Sequence, residues 1–296
     1  MNNVSKRVAA LPPDKLAMLL QRLKTRDGEA VPPPAPVQAS GSEWIVRYRP
    51  NEQAQLRLFC FPYAGGSASI FRSWLDALPA EVELCGIQLP GREYRLTRPA
   101  FTRIEPLIQE LAQALIPYLD RPFAFYGHSM GALISFELAR YLREQYGKQA
   151  TCLYLAAYRA PQLPNPNIKI YHLPSEVFKV VLRADGIPEM ILQNEELMQA
   201  MLPTLRADFE LCDTYVYYDL PPLKCPLMIF GGLADVRVNQ KDLEGWTIHT
   251  SATCQLAMLP GAHFFLHSEQ DSLLNLISQD LRPRLNALAP VELMNT

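Results

Sequence analysis

Nowhere in its 296 residues does the chain offer an uninterrupted apolar run of about 18 residues, the length a membrane-crossing helix needs. The N-terminus, MNNVSKRVAALPPDK, also lacks an apolar stretch of signal-peptide length, so a cytoplasmic protein without a membrane partner is expected. An excess of charge of either sign is equally missing. The formal net charge is -2, which gives no electrostatic case for nucleic acid. Cysteines are present but unpaired in pattern: Cys60, Cys85, Cys152, Cys212, Cys225 and Cys254 include no C-x-x-C. Four of them fall in apolar runs, so buried reduced thiols are expected rather than disulfides or a zinc site. No internal repeat at a fixed period is visible.

Two compositions meet near residue 42. Residues 31–42, VPPPAPVQASGS, hold four prolines among small polar residues and read as an extended, semi-rigid connector. Before them, LPPDKLAMLLQRLKT places Leu16, Leu19, Leu20 and Leu23 on one helical face behind a pair of prolines. Residues 1–42 are thus expected to form a short amphipathic helix plus linker, and residues 43–296 the main domain. A helix this short is marginal alone, so its leucine face needs a partner: its own domain, a second copy, or another protein docking through residues 11–24.

From residue 55 the chain alternates short apolar runs with helical patterns. Strands are expected at 55–61, 82–89, 122–127, 151–158, 226–232 and 254–259, apolar on nearly every residue as strands buried on both faces require. SIFRSWLDALP, IEPLIQELAQALIPYL and GALISFELARYLREQYG read as helices between them. This alternation implies an α/β fold with a mostly parallel, doubly wound sheet. About 65 residues separate Tyr158 from Pro226, where one crossover helix needs about 15 to 20. The excess, about 162–220, is expected to fold as a helical lid insertion over the end of the sheet. Its methionines, Met190, Met198 and Met201, suit plain packing, with the lining of an acyl pocket as the sharper alternative.

Gly-His-Ser-Met-Gly, residues 127–131, sits between a strand and a helix, the setting of a nucleophile elbow. Glycines at 127 and 131 answer the crowding of such a turn, and the helix N-terminus adds partial positive charge beside Ser129. A serine hydroxyl needs a base, and the base needs a group that fixes its tautomer. His263, in GAHFFL after the last strand, fits the chain order of such hydrolases. His128 neighbours the serine but points away in an elbow, and His267 is given a packing or surface role. The acid follows from where strands end: LAAYRAPQ offers no carboxylate, whereas PLMIFGGLAD delivers Asp235. Asp208, Asp213 and Asp219 belong to the insertion and read as helix-surface or cap residues. For the oxyanion, one donor is the Met130 N–H; the other comes from the turn Tyr63-Ala64-Gly65-Gly66, with Ala64 preferred over its neighbour Tyr63. AGGS is not followed by G-K-[ST], which argues against a phosphate loop. Arg92, Arg95 and Arg98 read as a solvated charged loop, with contact to a phosphate or an acidic helix as the alternative.

FCFPYAGGSASIFRSW, IQLPGRE, FYGHSMGA, LPTLRADFELCDTY, GGLAD and GAHFFL, in this order, closely resemble the type II thioesterases that serve nonribosomal peptide and polyketide synthases. The likeness covers about residues 44–285. It implies an α/β-hydrolase core with a helical lid, and hydrolysis of acyl or aminoacyl thioesters from the phosphopantetheine arm of a carrier protein, with no bound metal or cofactor. By position it makes Ser129 the nucleophile, His263 the base, Asp235 the acid, and Met130 with Ala64 the oxyanion donors. LPPDKLAMLLQRL is also similar to linker helices between synthetase domains. A small-ester hydrolase, an acyltransferase and a catalytically idle docking module remain as rival readings.

Overall fold

The computed structural model describes residues 42–166, 169–184 and 189–288. The expected N-terminal helix, and with it the docking stretch 11–24, lies outside the described residues.

Seven strands form one sheet: β1 (Ile45–Arg47), β2 (Leu56–Phe61), β3 (Val82–Ile87), β4 (Phe123–His128), β5 (Leu153–Ala156), β6 (Leu227–Gly232) and β7 (Cys254–Leu259). Their spatial order is β1-β3-β2-β4-β5-β6-β7. Every neighbouring pair is parallel except β1 with β3. The six expected strands are all present, with ends shifted by up to two residues, and β4 runs one residue further than expected, to His128. β1 was not among them: three residues carry no readable alternation, and it exists because Ile45 and Val46 pair with the exposed edge of β3 opposite Ile87 and Gly86. β2, β3, β4 and β5 are buried at every residue, but β7 is mostly half-buried because it closes the sheet's other edge.

The helices are α1 (Ile104–Leu115), α2 (Met130–Tyr146), α3 (Ser175–Ala184), α4 (Glu189–Leu192), α5 (Glu195–Thr214), α6 (Gln240–Glu244), α7 (Phe265–Ser268) and α8 (Gln270–Leu288). One apolar cluster joins α1 and α2 to one face of the sheet, and a second joins α8 to the other. α2 stops at Gly147, whose left-handed backbone (φ 63°) lets the Gly147 and Lys148 N–H groups turn back onto the carbonyls of Arg143 and Leu142. SIFRSWLDALP departs from expectation. It forms 3-10 turns over Ala68–Trp74, held by Phe71 and Trp74 packing edge-on at 5.1 Å rather than by a side-chain cap. None of the helices among the described residues is long and apolar enough to cross a membrane.

Between β5 and β6 the insertion folds as α3, α4 and α5 around its own apolar cluster of Ile170, Phe178, Leu182, Leu192, Leu197, Met198 and Leu205. Met198 is buried there, with Met190 and Met201 packed against it, so these methionines serve as packing residues. The sheet reverses its winding between β2 and β4, and the ends of those two strands open beneath the insertion. In open α/β sheets that crevice is where ligands bind.

Candidate active site

β4 ends at His128, and α2 begins at Met130, so Ser129 alone makes the turn. Its backbone sits at φ 54°, ψ -120°, a region that non-glycine residues rarely occupy. The turn is tight enough to dictate its flanks. A Cβ on Gly127 would lie 2.2 Å from the Gly131 carbonyl oxygen, and one on Gly131 would lie 2.1 Å from that of Phe61. The Ser129 N–H is tied to the Ala156 carbonyl of β5 at 2.8 Å, which lifts the side chain toward the crevice.

Three distant segments converge there. His263 Nε2 lies 3.0 Å from Ser129 Oγ, and His263 Nδ1 lies 2.8 Å from Asp235 Oδ2. Asp235 follows the Gly231-Gly232 end of β6, and its other oxygen accepts the Arg237 and Val238 N–H groups at 2.8 and 3.3 Å. Burial alone would raise the Asp235 carboxyl, but the hydrogen bond from His263, its charge and the two N–H groups more than offset this and hold it below the usual carboxylate range. An ionised Asp235 must receive a proton-bearing Nδ1, which leaves Nε2 as a lone pair facing the serine hydroxyl.

His128 does point away from the serine. It is fully buried, and its Nε2–H donates to the His263 carbonyl at 2.8 Å while its Nδ1 accepts from the Tyr126 hydroxyl at 3.3 Å. His267 lies 3.0 Å from the Tyr63 hydroxyl, an inward packing role. Of the other two histidines, His172 is exposed, whereas His249 is buried, with its Nε2–H donating to Gln162 Oε1.

A crevice of about 90 Å³ opens above Ser129, several times the ~10–15 Å³ one water requires. Ala64, Met130 and His263 border it beside the serine, and Ile170, Leu182, Leu205 and Phe209 of the insertion make its apolar wall. Arg159, Asp213 and Arg237 give it a polar margin. Among the described residues, the Ala64 and Met130 N–H groups make no turn or loop hydrogen bond. Tyr63, the alternative to Ala64, turns its ring into the core and is 1% exposed.

Two expectations need correction. Arg92 and Arg95 are not a solvated loop but buried side chains; only Arg98 of the three is exposed. Asp208 is not a surface carboxylate either: it is 3% exposed and receives both Arg92 Nη atoms, at 2.8 and 3.0 Å. The sequence did carry a signal. Thr204, Leu205, Asp208 and Leu211 share one helical face, and a carboxylate in a buried stripe demands a cation. Asp213 caps the Ile170 N–H, and Asp219 is exposed beside the Tyr217 hydroxyl. All six cysteines are free thiols, and burial pushes Cys152 up to about 12 and Cys225 up to about 11, so none is a ready thiolate.

Comparison with known proteins follows the same lines. The thioesterase domain family matches residues 56–281. The chain is 46% identical over 250 residues to the linear gramicidin dehydrogenase LgrE of Brevibacillus parabrevis, spanning 83% of this chain and 95% of that protein. It is 42% identical over 242 residues to the gramicidin S biosynthesis protein GrsT of Aneurinibacillus migulanus, spanning 81% and 94%. Among solved structures, the type II thioesterase BorB from the borrelidin biosynthetic cluster superposes with a TM-score of 0.75 at 33% identity, covering 81% of this chain and 98% of that one. The chain belongs to the thioesterase family, on the α/β-hydrolase fold and with the type II thioesterases of nonribosomal peptide and polyketide systems, and is a thioester hydrolase.

Proposed function

We propose that the protein hydrolyses acyl or aminoacyl thioesters from the phosphopantetheine arm of carrier proteins, through an acyl-enzyme on Ser129. The observation that carries this reading is the continuous chain of hydrogen bonds Ser129–His263–Asp235 beneath an apolar crevice. Ser129 Oγ attacks the thioester carbonyl as its proton passes to His263 Nε2, and ionised Asp235 steadies the imidazolium. The carbonyl oxygen takes up the negative charge, held by the N–H groups of Met130 and Ala64. Collapse expels the pantetheine sulfur, which takes the proton from His263. A water then gives a proton to His263 and attacks the acyl-enzyme; the acid departs and Ser129 recovers its proton.

A thiolate is a far better leaving group than an alkoxide, so the reaction asks little of a general acid at the departing atom. No metal or bound cofactor enters any step. The apolar wall from Ile170 to Phe209 suits an acyl group, and the relatives' names place them in gramicidin S biosynthesis and the borrelidin biosynthetic cluster.

The test is kinetic. An acyl group presented on a carrier protein is compared with the same acyl group as a simple oxygen ester, and kcat/KM for the carrier thioester is expected to be higher by at least about 10²-fold. Preference for the ester would overturn the proposal. Full activity after Asp235→Asn would point to an acyltransferase that does without the acid.

A further inference from the structure

The C-terminal half of the lid helix α5 is tied to the rest of the chain by Glu210 to Arg103 and by Thr214 to the Thr102 carbonyl, while a separate group of contacts gathers at the turn Tyr63–Gly66. Asp208 Oδ2 accepts the Gly65 N–H at 2.7 Å and Arg92 Nη1 at 3.0 Å, while Oδ1 accepts Arg92 Nη2 at 2.8 Å. Arg92 Nη1 also donates to the Gly66 carbonyl at 3.0 Å, and Arg92 Nε to the Pro90 carbonyl at 3.1 Å. The turn itself is closed by the Gly66 N–H on the Tyr63 carbonyl at 2.8 Å. One helical turn earlier, the Thr204 hydroxyl donates to the Gly91 carbonyl. Leu205 presses directly under Gly65, where a Cβ would come within 2.5 Å of Leu205 Cδ2 and where φ is +74°.

A buried ion pair is a poor device for stability alone, since apolar residues of the same volume usually do as well. Its value is fixed geometry: a bidentate guanidinium–carboxylate pair holds the groups bonded to it in one place. Here those groups are the Gly65 N–H and the Gly66 carbonyl, which lie one and two residues after Ala64. We propose that Arg92 and Asp208 are positioning residues that hold the Ala64 N–H on the developing oxyanion, and that they make this geometry depend on α5 being seated. The inference rests on the assignment of Ala64 as an oxyanion donor. Lid and catalytic turn are then one unit: a substrate that lifts α5 loosens the turn, and reseating the helix restores it.

The experiment compares wild type, Asp208→Asn, Arg92→Lys, Arg206→Gln and Ser129→Ala with a butyryl thioester as substrate. Two ligands accompany it: a propyl trifluoromethyl ketone, which forms a serine adduct with an oxyanion, and butyrate, which does not. Asp208→Asn is expected to lower kcat about 10- to 100-fold with KM within about 3-fold, because a small displacement of a catalytic group costs that order of rate. Ketone affinity should fall by a similar factor while butyrate affinity holds. Arg206 lies on the same helix but bonds within the lid, to the Tyr171 carbonyl and the Ser175 hydroxyl. Arg206→Gln should keep kcat within about 2-fold of wild type. Wild-type kcat in Asp208→Asn, or the same loss of kcat in Arg206→Gln, would overturn the proposal. If Asp208→Asn is not recovered folded, Arg92→Lys decides by the same criteria, since an ammonium cannot span Asp208 and the Gly66 carbonyl as the guanidinium does. Turnover by Ser129→Ala would instead sink the underlying assignment of the site, and this inference with it.

Discussion

Ser129 is held in a backbone conformation that its own side chain disfavours, and the residues around it explain why the strain persists. Gly127 and Gly131 leave no room for a methyl group, so Gly131→Ala must move the Phe61 carbonyl and with it the end of β2. That variant is expected to lose about 3 kcal/mol or more of stability, read from denaturant midpoints, together with nearly all turnover. Asp235→Asn should leave the fold intact, because the amide oxygen can still accept the Arg237 N–H, yet lower kcat by about 10³- to 10⁴-fold by favouring the wrong imidazole tautomer. Steady-state kinetics with KM and kcat resolved are the check. The three groups that the structure brings within hydrogen-bond reach were readable from sequence because each follows the end of a strand: Ser129 in a glycine-flanked elbow after β4, Asp235 after the Gly231-Gly232 end of β6, and His263 in the loop after β7. Arg92 and Asp208 were not, although 208 lies in an apolar stripe. In sequence a charged residue reads as solvent-facing, and the partner that lets Asp208 leave water lies 116 positions away.

The secondary-structure elements were legible where burial is continuous. β2 to β5 read as nearly continuous apolar runs, interrupted by Arg57 and Glu83, because helices cover both faces of the sheet, and α1 and α2 read from their 3.6-residue period. β1 and the 3-10 turns over Ala68–Trp74 were not legible, since both are set by tertiary packing on a neighbour rather than by a local period. The insertion has its own small core, and Phe178 is central to it, buried against Phe209 at 5.4 Å. Phe178→Ala should cost about 3–5 kcal/mol locally. Hydrogen exchange is the measurement, with faster exchange expected in α3 and α5 and unchanged protection in β2 to β6; uniform loss across the sheet would show that the lid and core unfold as one unit.

At the scale of the whole molecule, buried neutral histidines set the response to acid. Burial first, and then the neighbouring charge of His263, holds His128 well below the usual imidazole value. Burial and the Arg140 guanidinium lower His249 to about 4. In the unfolded chain each takes up a proton near pH ~6.5, so between about pH 4 and 6.5 the unfolded state binds more protons and stability falls as pH falls. The depressed carboxyl of Asp235 adds a contribution that is present above its unfolded value, about 3.9, and is lost as pH drops through its folded one. Tm should therefore decline from about pH 7 to about pH 4.5, and His249→Gln should flatten that decline. A Tm that holds steady over this range would contradict the neutral, buried state of both rings. The most direct measurement on the function is mass spectrometry of the intact wild-type chain, acid-quenched after brief mixing with an acyl-carrier protein, since a thioester acylates the serine faster than the resulting oxygen ester is hydrolysed. The expected result is a gain of one acyl group, mapped to the peptide containing Ser129 and absent when Ser129 is alanine. Turnover with no acyl-enzyme at any time, or an acyl group on another residue, would contradict the serine mechanism.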